Sequence, residues 1–350
     1  MGSVDADAHV IESPLTWEHV AEEDKSHTPL ILDKSWGPDI KGLRGRPVSQ
    51  YWLIDNRLRR RNSNVGTDTT PESRELQNVQ ARLDHMDALG IDIQVLYPSV
   101  FLGPAVAKAA TELALVRAYN RWLAAVNAEA PDRLRWVALP PLLSPPDVLH
   151  TVLERAKDHG ACGIFARGLE WEKPVGDPFF FPLYEAASKL DLAICFHAGN
   201  NSTAHFEMFL DDTSFTTFKL PAVGAFHSLI EKDIPGRYPD LRWAFVEVSA
   251  QWVPYLCHDL RYRLKRLGRP VPDNLLEQNR MFVACEVTDD IPYILSYAGE
   301  GQIMLGTDYG HHDPSTEINA FTLIRDRKDL SPEQILKITD TNARTLYGLD

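Results

Sequence analysis

The chain has 350 residues, of which 44% are hydrophobic and 24% charged, with a formal net charge of −13. Such a chain can bury a large core without disulfides or a structural metal, and its acidic balance argues against a polyanion such as nucleic acid as partner. No apolar run approaches the ~18 residues that cross a bilayer, and the first residues lack the basic-then-apolar layout of a secretory signal, so no membrane partner is expected.

Taken in order, short apolar runs at 4–11, 91–97, 134–139, 162–166, 192–197, 242–248, 281–285 and 303–307 have the length and composition of buried strands. Longer amphipathic segments lie between them, among them 73–88, 106–128, 146–158, 182–190, 254–267 and 315–327. Eight strands separated by helical segments favour an α/β fold, a closed TIM (β/α)8 barrel forming one domain over 1–350. Two stretches exceed the minimal barrel: residues 25–71, rich in Pro, Gly and Arg, after strand one, and 200–218 after strand five. Both leave from C-terminal strand ends, the face where barrel active sites lie, and read as lid or site-wall segments. Within the first, Arg57 to Arg61 form the one dense basic run. Its plainer reading is a solvated segment, although cations can still sit inside the site. Residues 331–334, Ser-Pro-Glu-Gln, open a C-terminal helix. That helix is expected to close the outside of the barrel.

Cys162, Cys195, Cys257 and Cys285 form no C-x-x-C pair, and three of them fall in apolar strand-like runs. Buried, reduced thiols are the expectation, which suits a cytoplasmic protein.

The chemistry-bearing residues cluster at strand ends. Asp7 and His9 are two apart in an extended run, so both point to one face and can reach a common ion; the same rule puts Asp5 on that face. His197 ends the fifth strand before Ala-Gly-Asn, and Asp308 ends the last, where a carboxylate after apolar residues needs a cation or partner. A helix cap is the bland reading of Asp308. Of His311 and His312 just beyond it, at least one should face the site mouth, as a substrate contact. Glu247 ends strand six and suits a metal ligand, a general base or a partner of a ligating histidine; Glu286 holds the same place on strand seven. Asp7, His9, His197 and Asp308 are thus the expected metal ligands, with Asp308, Glu247 and His197 the catalytic candidates. The mixed nitrogen and oxygen set suits Zn²⁺, with Mn²⁺ or Fe²⁺ as alternatives. Arg167, at the tip of strand four, offers a fork for a substrate carboxylate, or else belongs to a surface salt bridge. Trp252, with Tyr97, Phe101 and Tyr309, could line an apolar pocket or belong to the core.

With these residues placed, the chain resembles, almost end to end, the amidohydrolase-related family that includes aminocarboxymuconate-semialdehyde decarboxylase. The resemblance rests on DADAHVIE at 5–12 with a Trp soon after, RLDHMDALGID at 82–92 and FHAGN at 196–200. It continues through RYPDLRWAFVEVSAQWVPYL at 237–256, LGTDYGHHD at 305–313 and TNARTLYGL at 341–349. It implies a TIM barrel with one divalent metal, Asp7 and His9 as the first-strand ligands, His197 as the mid-chain ligand and Asp308 as the last-strand aspartate. It also implies a homodimer or larger assembly acting on a small, anionic molecule. Relatives of this kind decarboxylate aromatic or unsaturated acids without oxidation, or hydrolyse lactones or amides. One departure stands out: the decarboxylases commonly carry a histidine at the end of strand six, where this chain has Glu247. The favoured expectation is a carbon–carbon lyase of a small cyclic or aromatic acid. The alternatives are a metal-dependent hydrolase of an amide or lactone, and an inactive barrel used for binding.

Overall fold

The computed structural model describes residues 2–33, 50–61, 64–209 and 214–349. Eight parallel strands form one sheet: β1 (Val4–His9), β2 (Ile93–Tyr97), β3 (Leu134–Ala138), β4 (Ala161–Arg167), β5 (Ala193–His197), β6 (Trp243–Val246), β7 (Met281–Cys285) and β8 (Ile303–Leu305). Successive strands are neighbours, as βα units require. The sheet closes between β1 and the residues just past β8. Asp308 N donates to Asp7 O at 2.8–2.9 Å geometry shared with its neighbour, His9 N donating to Tyr309 O (2.9 and 2.8 Å), and Ala8 bridges Tyr309 in parallel. This is the barrel expected from the alternating pattern.

Crossover helices cover the outside: α1 (Val79–Leu89), α2 (Ala109–Glu129), α3 (Pro146–Asp158), α4 (Phe181–Lys189), α5 (Leu220–Glu231), α6 (Val253–Arg266), α7 (Ile291–Ala298) and α8 (Ala320–Arg325). The segment expected to be helical over 73–88 divides into a short helix, Pro71–Arg74, and α1, with Leu76 at φ 51° between them and Asn78 capping the second. The 315–327 segment is helical only over α8, because Asp313 and Glu317 make side-chain hydrogen bonds to nearby backbone N–H groups that favour turns. Strand burial is nearly complete on both faces, β1, β4, β5, β6, β7 and β8 being buried at every residue. Each large apolar side chain so buried contributes roughly 1.5–3 kcal/mol.

The C-terminal segment does close the barrel from outside. Ser331 and Gln334 form a capping box at Pro332–Leu336, and the following helix, Asn342–Tyr347, sends the Tyr347 hydroxyl to Ala6 O (2.8 Å) and Tyr97 Oη (2.6 Å). The described part of the first excursion is a three-stranded antiparallel sheet, Leu30–Asp33, Gln50–Ile54 and Arg57–Arg60, anchored by Trp52 edge-on to Trp17. Residues 34–49, 62 and 63 of that excursion, and 210–213 of the second, lie outside the described residues.

Closure has a steric requirement. A Cβ on Gly306 would stand 2.5 Å from Asp7 Cβ, closer than two such atoms approach, so the last strand can lie against the first only with glycine there. A Cβ on Gly224, within α5, would meet nothing within 4 Å. Gly306→Ala is therefore expected to lower stability by roughly 1–3 kcal/mol, and Gly224→Ala to be neutral or to stabilise by up to about 1 kcal/mol. Urea unfolding midpoints measure both, and equal midpoints for the two variants would contradict this account of the seam.

Candidate metal centre

Strand ends converge as the alternating pattern requires, with one exception. Asp7 and His9 point into the barrel mouth beside His197 from β5. Asp5 does not join them. The β1–β2 register shifts between Asp5 and Ala8, so four residues on β1 face three on β2. Asp5 thereby pairs with Gln94, whose amide also takes Arg82 of α1 on the helix side. There its carboxylate accepts from Gln94 Nε2 (2.9 Å), Thr307 N (2.9 Å) and Thr307 Oγ1 (2.5 Å). Burial pushes its pKa up to about 6, against the opposing effect of those bonds. The i, i+2 rule holds only for an unbroken strand, and the bulge corrects the expectation for Asp5.

The cluster itself is tight and dry. His9 and His197 are fully buried, and Asp7 and Asp308 are 2% exposed. The Nε2 atoms of the two histidines stand 2.9 Å apart. Around them lie Asp7 Oδ1 (3.6 and 3.4 Å from His9 and His197), Glu247 Oε2 (3.6 and 3.1 Å) and Asp308 Oδ1 (3.4 Å from His9). Each histidine uses its other nitrogen on a carbonyl: His9 Nδ1 donates to Pro98 O (3.1 Å) and His197 Nδ1 to Ala198 O (2.8 Å). With an Nδ1 hydrogen given to each carbonyl, both rings turn Nε2 toward each other and toward three carboxylates. Asp7 Oδ1, Glu247 Oε2 and Asp308 Oδ1 are buried without a hydrogen-bond partner. Buried carboxylates converging on one point are costly unless a cation occupies their centre. Two overlapping ligand sets satisfy metal spacing: Asp7, His9, His197 and Glu247, and His9, Glu247, Asp308 and His311. The donors fit a divalent ion with mixed nitrogen and oxygen coordination.

The backbone is strained at the two carboxylates that follow strand ends, Glu247 at φ 58° and Asp308 at φ 53°. The Glu247 turn, with Ser249 at φ 56°, is held by Asp289, which accepts from Ser249 Oγ (2.6 Å), Ala250 N (2.8 Å) and Glu286 N (2.9 Å). Burial, then the charges of Asp308, Asp313 and Asp7, push Glu247 well above the usual carboxylate range. Burial also raises Asp308 to about 6, with the nearby His311 opposing. Burial, then His311 and His197, pull His9 well below the ordinary histidine range. Burial pulls His311 down too, but Asp308 and the other carboxylates outweigh it and its pKa is raised.

Of the two adjacent histidines, His311 enters the cluster. Its ring stacks on His9 with centroids 3.8 Å apart, and its Nδ1 lies 2.7 Å from Asp308 Oδ1. His312 is exposed, its N–H donated to Asn64 O. Glu286 instead takes Lys219 Nζ at 2.7 Å.

Arg167 and Trp252 stand apart. The guanidinium of Arg167 grips Glu170 with two parallel bonds (2.6 and 2.8 Å) and spends Nη1 on Phe101 O (2.5 Å), so a substrate carboxylate there would have to displace Glu170. Trp252 donates its indole N–H to Ser249 O and packs edge-on against Phe245 and Phe226 of α5. Phe245 pairs in register with Phe196, and His197 with Val246, so Phe245 faces the helices where His197 faces the mouth. Trp252 thus belongs to the layer between sheet and helix, the core alternative for that aromatic.

The residue missed in the sequence is Arg59. It lies in the basic run, on the last strand of the three-stranded sheet, and donates to Val100 O (3.0 Å), next to Ser99, which contacts His311. Burial, then the charges of Arg167 and Arg57, press its pKa down to about 9. Among the described residues no carboxylate forms an ion pair with it. Alternation along 57–61 was the available signal, since it turns every second arginine inward.

The amidohydrolase family model matches residues 4–349. Among solved structures, the chain is similar to an amidohydrolase from Mycobacterium avium subsp. paratuberculosis K-10 (TM-score 0.79, 18% identity, 99% of each chain covered). It is also similar to 5-carboxyvanillate decarboxylase from Sphingomonas paucimobilis (0.71, 17%, covering 100% of this chain and 99% of that one). A third is 2,6-dihydroxybenzoate decarboxylase from Rhizobium (0.68, 19%, 100% and 99%). At these identities the likeness concerns the fold. No helix among the described residues is long and apolar enough to cross a membrane.

Stoichiometric divalent metal is expected in the purified chain, and its loss in Asp7→Ala and His197→Ala. At about 100 times its Kd the ion adds about 2.7 kcal/mol to the folded state, so chelation lowers the melting temperature by several degrees. Elemental analysis and thermal melts with and without chelator check this; absence of both bound ion and thermal shift after reconstitution would count against the centre.

Proposed function

The chain belongs to the amidohydrolase family, and on that premise we propose that it is a metal-dependent, non-oxidative decarboxylase of a small cyclic or aromatic carboxylic acid. The observation that carries this reading is the 2.7 Å approach of His311 Nδ1 to Asp308 Oδ1, together with a guanidinium, Arg59, that has no carboxylate partner among the described residues and is tied through Val100 O to the turn whose Ser99 meets His311. Decarboxylation needs both: a cation to seat the acid, and a proton for the carbon that loses it.

Asp7, His9, His197 and Asp308, with Glu247 beside them, would hold the ion, most suitably Zn²⁺, with Mn²⁺ or Fe²⁺ as alternatives. Such an ion, when bound, supplies Lewis acidity toward a substrate oxygen. The rest is done by the chain. Arg59 pairs the substrate carboxylate, a role better suited to it than to Arg167, whose fork is taken. Asp308, with His311 behind it, or Glu247, delivers a proton to the ring carbon. The bond from that carbon to the carboxylate breaks, its electron pair stays on the ring and takes the proton, and CO₂ leaves. Strand pairing of Val65 with His311, and the Arg57 bond to Thr203 Oγ1 (3.2 Å), support a site wall in which both excursions take part. A homo-oligomer and a cytoplasmic setting go with this reading.

Hydrolysis of an amide or lactone is the second reading, favoured by Glu247, a carboxylate positioned to act as base on a water. Turnover of aromatic acids carrying ¹³C in the carboxyl group, run in H₂¹⁸O, separates the two. Release of ¹³CO₂ is expected; ¹⁸O entering the acid formed from an amide or lactone offered in parallel, with no CO₂ from any acid tested, would replace the first reading by the second. Arg59→Ala should raise KM for the acid roughly 10- to 100-fold, as loss of a charge-assisted bond does. Arg60→Ala, at an exposed position, should leave KM unchanged.

A further inference from the structure

The hairpin that carries Arg59 is fastened to the barrel at its tip. Asp55 and Asn56, at φ 48° and 62°, make the two-residue turn that joins Ile54 to its cross-strand partner Arg57. Short polar side chains tolerate that left-handed backbone, and two positive φ values in succession match the twist of a hairpin. The Asp55 side chain is only 2% exposed. Its Oδ2 accepts from Ala107 N (2.9 Å) and Lys108 N (3.0 Å), and its Oδ1 lies 3.0 Å from Lys108 Nζ. Those amides stand at the start of α2, whose own N-cap residue, Lys108, offers no side-chain acceptor. The acceptor is supplied instead by a turn 52 residues earlier in the chain.

Arg57 and Arg59, two apart on the strand that leaves this turn, share a face. Arg57 Nη1 donates to Thr203 Oγ1 (3.2 Å) and Arg59 Nη1 to Val100 O (3.0 Å). Gly103 leaves room for the second guanidinium: a Cβ there would stand 2.8 Å from Arg59 Nη2, although its φ of −116° would suit any residue. Where Arg59 stands is set by where its strand lies. Its cross-strand partner, Trp52, packs edge-on against Trp17, which gives the hairpin one anchor. Pinned at that ring alone, a hairpin can pivot. The Asp55 tie, three residues beyond Trp52, is a second anchor and removes the pivot.

We propose that Asp55 is a positioning residue for acid binding: by tying the hairpin tip to the start of α2, it fixes the strand from which Arg59 meets the substrate carboxylate. Its bonds go to Ala107 and Lys108, so it acts on the acid only through that strand. This deepens the decarboxylase reading and rests on its assignment of Arg59 to the substrate carboxylate.

The test compares Asp55→Ala with Asp55→Asn in protein reconstituted with Zn²⁺. Both amides go to one oxygen of Asp55, so the amide oxygen of an asparagine can keep them. Amide hydrogen exchange over residues 50–61 should quicken roughly 10-fold in Asp55→Ala, as loss of a helix cap would give. It should stay parental in Asp55→Asn, with metal content unchanged in both. On an acid that the parent turns over, Asp55→Ala should raise KM roughly 10-fold with little change in kcat, and Asp55→Asn should keep the parental KM. Combined with Arg59→Ala, Asp55→Ala should add nothing to the KM of Arg59→Ala alone. Unchanged exchange in Asp55→Ala overturns the proposal, as does an unchanged KM or a KM effect that adds in full to that of Arg59→Ala. If the parent releases no CO₂ from any acid, the decarboxylase reading fails by itself, and the same variants are compared by their Kd for benzoate. Benzoate binding that is absent from the parent, or as tight in Asp55→Ala as in the parent, then overturns the role of Asp55, and a weakening that Arg59→Ala abolishes upholds it.

Discussion

Everything at the mouth of this barrel follows from one electrostatic fact: three carboxylates and two imidazoles are packed into a space that water does not reach. Like charges and acceptors at 3 to 4 Å in a low-dielectric interior repel by several kcal/mol. Removed from the barrel, the arrangement would fly apart or take up protons, as the raised Glu247 and Asp308 indicate. Its persistence depends on rigid strands that hold the groups in place, and a positive charge among them would offset the repulsion. The left-handed backbone at Glu247 and Asp308 is part of the same cost. Strain of that kind survives only where surrounding structure over-determines it, and the Asp289 bonds to the Glu247 turn do so.

One short turn does much of this holding. Pro98 O takes His9, Val100 O takes Arg59, Phe101 O takes Arg167, and Leu102 O takes the N–H of Asn200 just past β5. Its amides at Ser99 and Val100 are given to Glu12. A turn of five residues thus ties together the ends of β1, β2, β4 and β5 and the arginine strand of the first excursion. Loops that carry function are usually set by the scaffold; here the loop also sets its neighbours.

The barrel and its centre were largely legible in the sequence because buried parallel strands leave continuous apolar runs, and a charged or histidine residue at the end of such a run is conspicuous. Asp7, His9, His197, Glu247 and Asp308 all announced themselves in that way. What was hidden depended on tertiary geometry. The bulge that turns Asp5 away is a single-residue slip with no compositional mark. Arg167 could be read as a substrate fork or as half of a salt bridge, because its partner, Glu170, lies three residues on in a turn whose shape is not encoded by periodicity. Trp252 is amphipathic, and such a ring suits a pocket or a sheet-to-helix layer equally well. Arg59 was masked by its own neighbours, since alternation turns Arg57, Arg59 and Arg61 to one face alike and nothing in the run singles out one of them.

The seam between β1 and the residues beyond β8 carries a consequence for how the protein comes into being. Asp7 and Asp308 lie at opposite ends of the chain, yet a backbone bond joins them directly. A nascent chain leaving the ribosome therefore carries Asp7 and His9 for most of its synthesis without the residues that complete the cluster. Closure of the mouth is thus a late event by construction: Asp308 and His311 reach Asp7 and His9 only after the last strand has been made and has docked against the first.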